Sequence, residues 1–478
     1  MAEFGLPLAR VDVEAFLSDA VDLEPESHRS PSLPEIADAL TGLGMRPGEV
    51  VLVQMSNGTP LLRCFFGVLF AGGVPALLAP ATPLARVRHI AEKLGARTLI
   101  APARAAAYRD APRRHLGAAG VIGLDAIRLA GIDPQCHEPG HVVILTSGTS
   151  GVSSGCLHRL SSLFCNARRH SVSVGLRSSD TVLVNLPLNF SYALVAQALA
   201  TMDLGARLVI TGPPFTPAAY TAALGEHHVT SSSLTPFMVR GLLNSGWKPS
   251  DSLRMLTVGG ENLDPAMTEL MLDRGPGLEL YLTYGLTEAG PRVSTLAAHL
   301  EPPHRYPSVG QPLAGVQVAL RRVDGGGVDG DGVDGDGVGE LLVTSDTVLR
   351  RRVGVEEGRA GSCFAGPQQI ATGDLFSLDD DGYLYFRGRL SDFVVTGGSK
   401  VSLSSVRRIA NSVPGVVTSA TRSYLADDGE TRFDLDLYLY DAAPEAAEAV
   451  RQSLLRQLMR IERPNRIRML PAEETGHK

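Results

Sequence analysis

Residues Leu145–Leu160 read LTSGTSGVSSGCLHRL, a run of hydroxyls and glycines that follows the apolar stretch HVVI at His141–Ile144. Backbone N–H groups in a Gly-rich turn converge on an anion, and Ser or Thr hydroxyls add further donors and metal ligands. Thr146, Ser147, Gly148, Thr149, Ser150 and Gly151 offer both kinds of group. The stretch lacks the Gly-Lys-Ser/Thr ending of the P-loop nucleotide-binding pattern. Taken alone, it reads equally as a phosphate cradle or as a plain Ser/Gly turn.

Outward from this stretch, the chain alternates helix-like and strand-like segments. From Pro34 to about Ala107 come LPEIADALTGLG, EVVLVQMS, TPLLRCFFGVLFAGGVPALLA and ARVRHIAEKLGARTLIA. Short apolar runs that follow amphipathic helices, with Gly at the joints, predict βα units and a largely parallel sheet. A second series, from His141 to about Gly260, takes HVVILTS, DTVLVNLPL, ARLVITG and LRMLTVGG as strands of another α/β layer. After Ala289 the strands shorten, as in GVQVALRRV and GELLVTS, which predicts a smaller β-rich part. The Asp-Gly segment Val323–Glu340 lacks the ligand spacing of an EF-hand loop and reads as a flexible hairpin insertion. Beyond FRGRLSDFVVTGG (Phe386–Gly398), about ninety residues of strand and helix form a small domain of their own.

Composition narrows the function classes. The chain has 478 residues, 44% hydrophobic and 20% charged, as expected of a globular protein of two or three domains. A net charge of −7 argues against a nucleic-acid binder, which needs a basic face. The N-terminus has no signal layout and no long uncharged apolar run occurs, so a cytoplasmic protein without a membrane segment is expected. Cys64, Cys136, Cys156, Cys165 and Cys363 are scattered and without CxxC spacing, which suggests buried free thiols rather than zinc or disulfides. Among the 44 basic residues only Lys93, Lys248, Lys400 and Lys478 are lysines, so any catalytic lysine is one of these.

Further motifs follow in order: VGGENL at Val258–Leu263, YGLTE at Tyr284–Glu288, TGD at Thr372–Asp374, GR at Gly388–Arg389 and a C-terminal RPNRIRMLPAEETGHK. With TSGTSGVSSG and the upstream GVLFAGGVPALLAPATP, they resemble the adenylate-forming superfamily of acyl- and aryl-CoA synthetases, nonribosomal peptide adenylation domains and luciferases. The resemblance implies an α/β fold: a large N-terminal domain (1–387) of two α/β layers plus a small β-barrel, and a smaller mobile α+β C-terminal domain (388–478). It implies ATP and Mg²⁺ as cofactors, and activation of an acid as its adenylate before transfer to a thiol or amine. By matching position, Thr146–Gly151 would wrap the outer phosphates, and Glu288 with Thr149 would hold Mg²⁺. Thr287 would meet the α-phosphate and Tyr284 would stack on adenine. Gly259, Gly260 and Glu261 would line the adenine and acyl pockets, and Asp374 and Arg389 would grip the ribose.

The chain departs from the family where cations are usual. Ser153 and Ser154 stand where Pro-Lys is expected, and Arg159 could substitute only if the loop folds back. Ser391, with Asp392 adjacent, replaces the hinge charge, and Ser405, Val406 and Arg407 replace a Glu-Ile-Glu-like segment. His477 occupies the place of the catalytic lysine, which is displaced to Lys478, while Lys400 lies in a Gly-Gly-x-Lys turn that in relatives helps to form the thiol tunnel. The catalytic candidates are therefore Thr287, Glu288, His477 and Lys478.

The resemblance places the acid pocket at Asn189, Phe190, Ser191, Tyr192 and Ser233, with Thr235 and Pro236 nearby. Amino-acid activators carry Asp at the position of Ser191, so a carboxylic acid without an α-ammonium is expected, aromatic or short to medium acyl, or another small oxyacid. No carrier segment follows, which implies CoA, a discrete carrier protein or an amine as acceptor. The Arg/Ala-rich composition suggests a bacterial enzyme of specialised metabolism. Two other readings stay open: a nucleotide- or acyl-adenylate-binding protein with reduced or lost adenylation, and an acyltransferase that uses a preformed activated acid.

Overall fold

The computed structural model describes residues 6–24, 30–102, 111–116, 123–146, 154–322, 337–355, 363–390, 393–396, 399–426 and 431–472. Ser147, Gly148, Thr149, Ser150, Gly151 and Ser153 lie outside the described residues, as do most of the Asp-Gly segment, Ser391, Asp392, His477, Lys478 and the side chain of Lys400. The chain divides into two compact units. The first comprises Met1–Ala319, Leu342–Thr372 and Leu378–Tyr385; the second comprises Leu320–Leu341, Gly373–Ser377 and Phe386–Lys478.

Local chemistry starts the first unit. Ser32 caps helix Leu33–Gly42 by accepting the Glu35 amide, while the Glu35 carboxylate accepts the Ser32 amide at 2.7 Å, a reciprocal box that satisfies two end donors. The apolar run Val50–Gln54 is a strand buried along its whole length, as a parallel strand covered on both faces must be. Its sheet has eight strands in the order Arg351–Val353, Ser154–Arg159, His141–Thr146, Val74–Leu78, Val50–Gln54, Thr98–Pro102, Leu124–Arg128, Arg113–Leu116. The four middle strands from His141–Thr146 to Thr98–Pro102 are parallel.

A second eight-stranded sheet runs Val21–Asp22, Arg207–Ile210, Thr181–Val184, Ser231–Leu234, Met255–Val258, Glu279–Gly285, Arg292–Ala297, Gln311–Pro312. Strand His141–Thr146 therefore belongs to the first sheet, not to the second series where its place in the sequence had put it. Order along the chain does not reveal which sheet edge a strand joins; here Ala76↔Val143 pairing decides it. Ser231–Leu234, with its three serines, is a buried strand that apolar patterning passes over. Helices fill the space between the sheets. One core joins Val51, Val53, Val142 and Ile144 of the first sheet, Phe65 and Phe164 of the helices, and Val184, Leu208 and Ile210 of the second.

A five-stranded sheet takes the place expected of the small β-barrel: Gln317–Arg321, Val338–Thr344, Gln369–Leu378 and Phe364–Gly366 in order, with Leu384–Arg389 beside Gln369–Leu378. In the second unit, helices Leu403–Ser412 and Pro444–Gln457 cover the sheet Val416–Leu425, Thr431–Leu439, Arg466–Pro471, with Val406, Ala410, Leu435, Leu437 and Leu454 in its core. The fold is α/β with mixed sheets. No helix among the described residues is long and apolar enough to cross a membrane. Of the five free cysteines only Cys64 and Cys156 are buried; Cys136 is exposed, a correction to the expectation of five buried thiols, because it sits in a surface loop.

Candidate functional site

The quoted stretch is an antiparallel hairpin whose arms are strands His141–Thr146 and Ser154–Arg159, with Leu145 opposite Gly155 and Thr146 opposite Ser154 at the loop end. Thr146 Oγ1 lies 3.2 Å from Ser154 Oγ, so the hydroxyls at the loop's two feet touch. Arg159 pairs with His141 at the opposite end of the arm, about 17 Å of strand away. It does not supply the cation missing at Ser154. Arg352 stands there instead: strand Arg351–Val353 pairs Arg352 with Cys156, and the guanidinium donates from Nη1 to Ser154 Oγ at 3.2 Å.

The same guanidinium donates from Nη2 to Glu288 Oε1, closing a charge-assisted hydrogen bond. Burial is the largest single influence on Arg352 and lowers its pKa, but the Glu288 carboxylate together with the Cys156 and Cys363 thiols outweighs it and the net shift is upward. Glu288 and Thr287 lie in the short 3₁₀ turn Thr287–Ala289 after strand Glu279–Gly285, and the Glu288 carbonyl accepts the Leu349 amide at 2.8 Å. A half-buried carboxylate at the foot of a hydroxyl-rich loop suits Mg²⁺, a hard cation held by one or two carboxylates plus phosphate oxygens. Among the described residues no group of three or more His, Cys, Asp or Glu is placed to hold a metal.

The acid-pocket candidates converge through hydroxyls. Ser191 Oγ is 3.0 Å from Thr287 Oγ1, which ties the π-helix Tyr192–Leu199 to the Tyr-Gly-Leu-Thr-Glu turn. Thr257 Oγ1 is reached by Tyr192 Oη at 2.9 Å and by Ser233 Oγ at 2.8 Å. Asn189 is half-buried in the preceding turn, and Phe190 is 44% exposed rather than a core aromatic. Thr235 caps helix Pro236–Asn244. Gly259 has no room for a side chain: a Cβ there would lie 2.5 Å from Thr283 Oγ1. Gly260 follows at φ +92, a conformation that glycine adopts without strain, and Glu261 is exposed beside it. Tyr284 is half-buried near the end of its strand.

Arg292 is the residue that the sequence reading missed in this pocket. It is 3% exposed, its guanidinium carbon lies 3.7 Å from the Tyr192 ring centroid, and its Nη1 donates to Thr283 Oγ1 at 2.7 Å. The available signal was an arginine inside an otherwise uncharged strand, four residues after Glu288. Arg352 carried no such signal, being the third of three consecutive arginines. In the second unit Asp374 and Arg389 pair with each other, Oδ1 to Nε at 2.8 Å, with the carboxylate buried and the guanidinium exposed. The neighbouring Gly373 amide donates to Glu340 at 3.0 Å, which anchors the turn.

Against known proteins, the sequence pattern described as AMP-binding enzyme matches residues 33–351. The long-chain-fatty-acid–CoA ligase FadD13 of Mycobacterium tuberculosis is 26% identical over 395 residues, 80% of this chain and 76% of that protein. The salicyl-AMP ligase / salicyl-S-ArCP synthetase of the same species is 28% identical over 410 residues, 80% and 71% of the two chains. Among solved structures, the O-succinylbenzoate coenzyme A synthetase of Bacillus subtilis, in complex with ATP and magnesium ion, superposes with a TM-score of 0.72. The two chains are 19% identical, covering 96% of this chain and 95% of that one.

Proposed function

This chain belongs to the AMP-binding enzyme family of acyl- and aryl-CoA ligases and other adenylate-forming enzymes, and from that premise we propose that it activates a small carboxylic acid with ATP. An acid oxygen attacks the α-phosphorus, a P–O bond forms, and pyrophosphate leaves with the electron pair of the broken P–O bond. A thiol or amine then attacks the acyl carbon and AMP leaves. Attaching AMP gives a poor electrophile a leaving group, while donors at the site stabilise the charge that develops.

One observation carries this reading: Arg352 joins Ser154 at the foot of the hydroxyl-rich loop to Glu288 of the distant Tyr284–Glu288 turn. Two motifs far apart in sequence thus meet around one cation and one carboxylate. In this reading Thr146–Gly151 hold the outer phosphates, Thr287 meets the α-phosphate and Tyr284 packs on the adenine. Asp374 and Arg389 hold the ribose, and His477 and Lys478 approach the reacting phosphate. Glu288 and Thr149 would hold Mg²⁺, which when bound supplies charge neutralisation at the phosphates.

The two curated relatives are named for different acids, long-chain fatty and salicyl, and for different acceptors, CoA and a carrier protein. The acid here is aromatic or short to medium acyl, because Ser191 offers a hydroxyl where a carboxylate would be needed to bind an α-ammonium. CoA, a discrete carrier protein or an amine takes the acyl group, in the cytoplasm and as part of specialised metabolism. The test is acid-dependent exchange of labelled pyrophosphate into ATP across a panel of aromatic and aliphatic acids. Exchange with at least one acid is expected; AMP binding by calorimetry with no exchange across the panel would instead favour a nucleotide-binding protein without turnover.

A further inference from the structure

Arg292 is buried without a carboxylate partner among the described residues. Its backbone is held on both sides by Asn166, whose Oδ1 accepts the Arg292 amide at 2.8 Å and whose Nδ2 donates to the Arg292 carbonyl at 2.9 Å. The side chain is constrained as well. The Tyr192 ring covers one guanidinium face and Nη1 is spent on Thr283. What is left is one edge: Nε and Nη2 are buried and have no hydrogen-bond partner among the described residues.

That edge is the fork with which arginine grips a carboxylate through two parallel N–H···O bonds. A buried, unpaired cation is costly to a fold and is normally matched by an anion. The surroundings are of that kind. Burial pushes the Arg292 pKa down, and the neighbouring imidazole, His170, is itself buried and pushed well below its ordinary range, first by burial and then by Arg292. Arg292 also stands within the proposed acid pocket: it stacks on Tyr192, and its Nη1 is 3.2 Å from where a Cβ of Gly259 would be.

We infer that Arg292 is the recognition site for a second carboxylate on the acid, so that the substrate class is a dicarboxylic acid activated at its other end. This rests on the acid-activating reading above. Ser191 and Arg292 together reverse the charge preference of an amino-acid pocket, removing the anion that would hold an ammonium and installing a cation that holds a carboxylate.

The experiment compares matched pairs of acids, adipate with hexanoate and isophthalate with benzoate, on the wild-type chain, Arg292→Met and Arg292→Lys. Pyrophosphate exchange gives kcat/KM, and calorimetry gives binding of each free acid. A site built to hydrogen-bond a group rejects the analogue that lacks it, so wild type should favour at least one diacid over its partner by about tenfold or more. Arg292→Met should lose that diacid by a similar factor relative to its partner, which brings the diacid-to-monoacid ratio of kcat/KM down toward one. Arg292→Lys keeps charge and bulk without the fork, and should retain only part of the preference; it serves should the methionine variant fail to fold. Equal use of both members of each pair by wild type, no binding of either diacid, or an equal loss of diacid and monoacid in both variants overturns the assignment. Arg292-dependent binding of a diacid with no exchange for any acid would instead sink the adenylation reading and leave this one standing.

Discussion

At the residue scale, a cation from elsewhere in the sequence stands at the foot of the loop. Arg352, on a neighbouring strand, reaches Ser154 Oγ at 3.2 Å and pairs with Glu288, beside the position where the family's lysine is absent. If this guanidinium serves the outer phosphates, Arg352→Met should raise the KM for ATP in pyrophosphate exchange by about tenfold, roughly one charge-assisted hydrogen bond, with a smaller effect on kcat. Adding Ser154→Lys to that variant should recover much of the loss. An unchanged KM in Arg352→Met would assign the pair with Glu288 a purely structural part. The sequence alone showed the defect at Ser154 but not its remedy, because the pairing of Arg352 with Cys156 is made by a strand nearly two hundred residues away, on the order of half the chain.

At the element scale, the first sheet is pinned by a buried ionic cluster just before strand Val50–Gln54. Glu49 is fully buried and accepts from Arg46 Nε and Arg97 Nε at 2.9 Å each, with Arg128 at 3.6 Å. Burial alone would raise its pKa, but the hydrogen bonds from Arg97 and Arg46 outweigh it and hold the carboxyl below its usual range. Arg97 precedes strand Thr98–Pro102 and Arg128 ends strand Leu124–Arg128, so one carboxylate ties three strand ends together. Glu49→Ala leaves the half-buried Arg97 and Arg128 guanidinium groups facing no anion and should cost about 2–3 kcal/mol, on the scale of hydrogen bonds to a charged group, read as a lower denaturant midpoint with an unchanged slope. The strands themselves were legible as apolar runs. Their assignment to sheets was not: Val21–Asp22 joins the second sheet although the next strand, Val50–Gln54, belongs to the first, and His141–Thr146 joins the first sheet through Val74–Leu78 rather than the series of strands that follows it.

At the scale of the whole molecule, buried imidazoles set the acid limit of stability. His158, on the strand that leaves the loop, is completely buried, and burial pushes its pKa from 6.5 down to about 4. The unfolded chain therefore takes up a proton between pH 6.5 and about 4 that the folded chain refuses. Stability from this group is fully present above pH 6.5 and is lost as the pH falls toward 4. By pH 5 the loss should reach about 2 kcal/mol, and His158→Gln should flatten the fall of Tm with acid measured between pH 7 and 5. A slope unchanged by that substitution would move the acid sensitivity to His170 and His137, whose pKa values burial also lowers. By itself the sequence determined the α/β class, the ordered motifs and the residue types of the candidate site, because periodicity and glycine-hydroxyl clusters are local properties. The tertiary structure alone decided which strands share a sheet, which arginine stands at the foot of the loop, and that Arg292 is buried with one edge unspent. Those outcomes depend on contacts between residues far apart along the chain, and charge burial is set by everything that packs around a side chain rather than by its sequence neighbours.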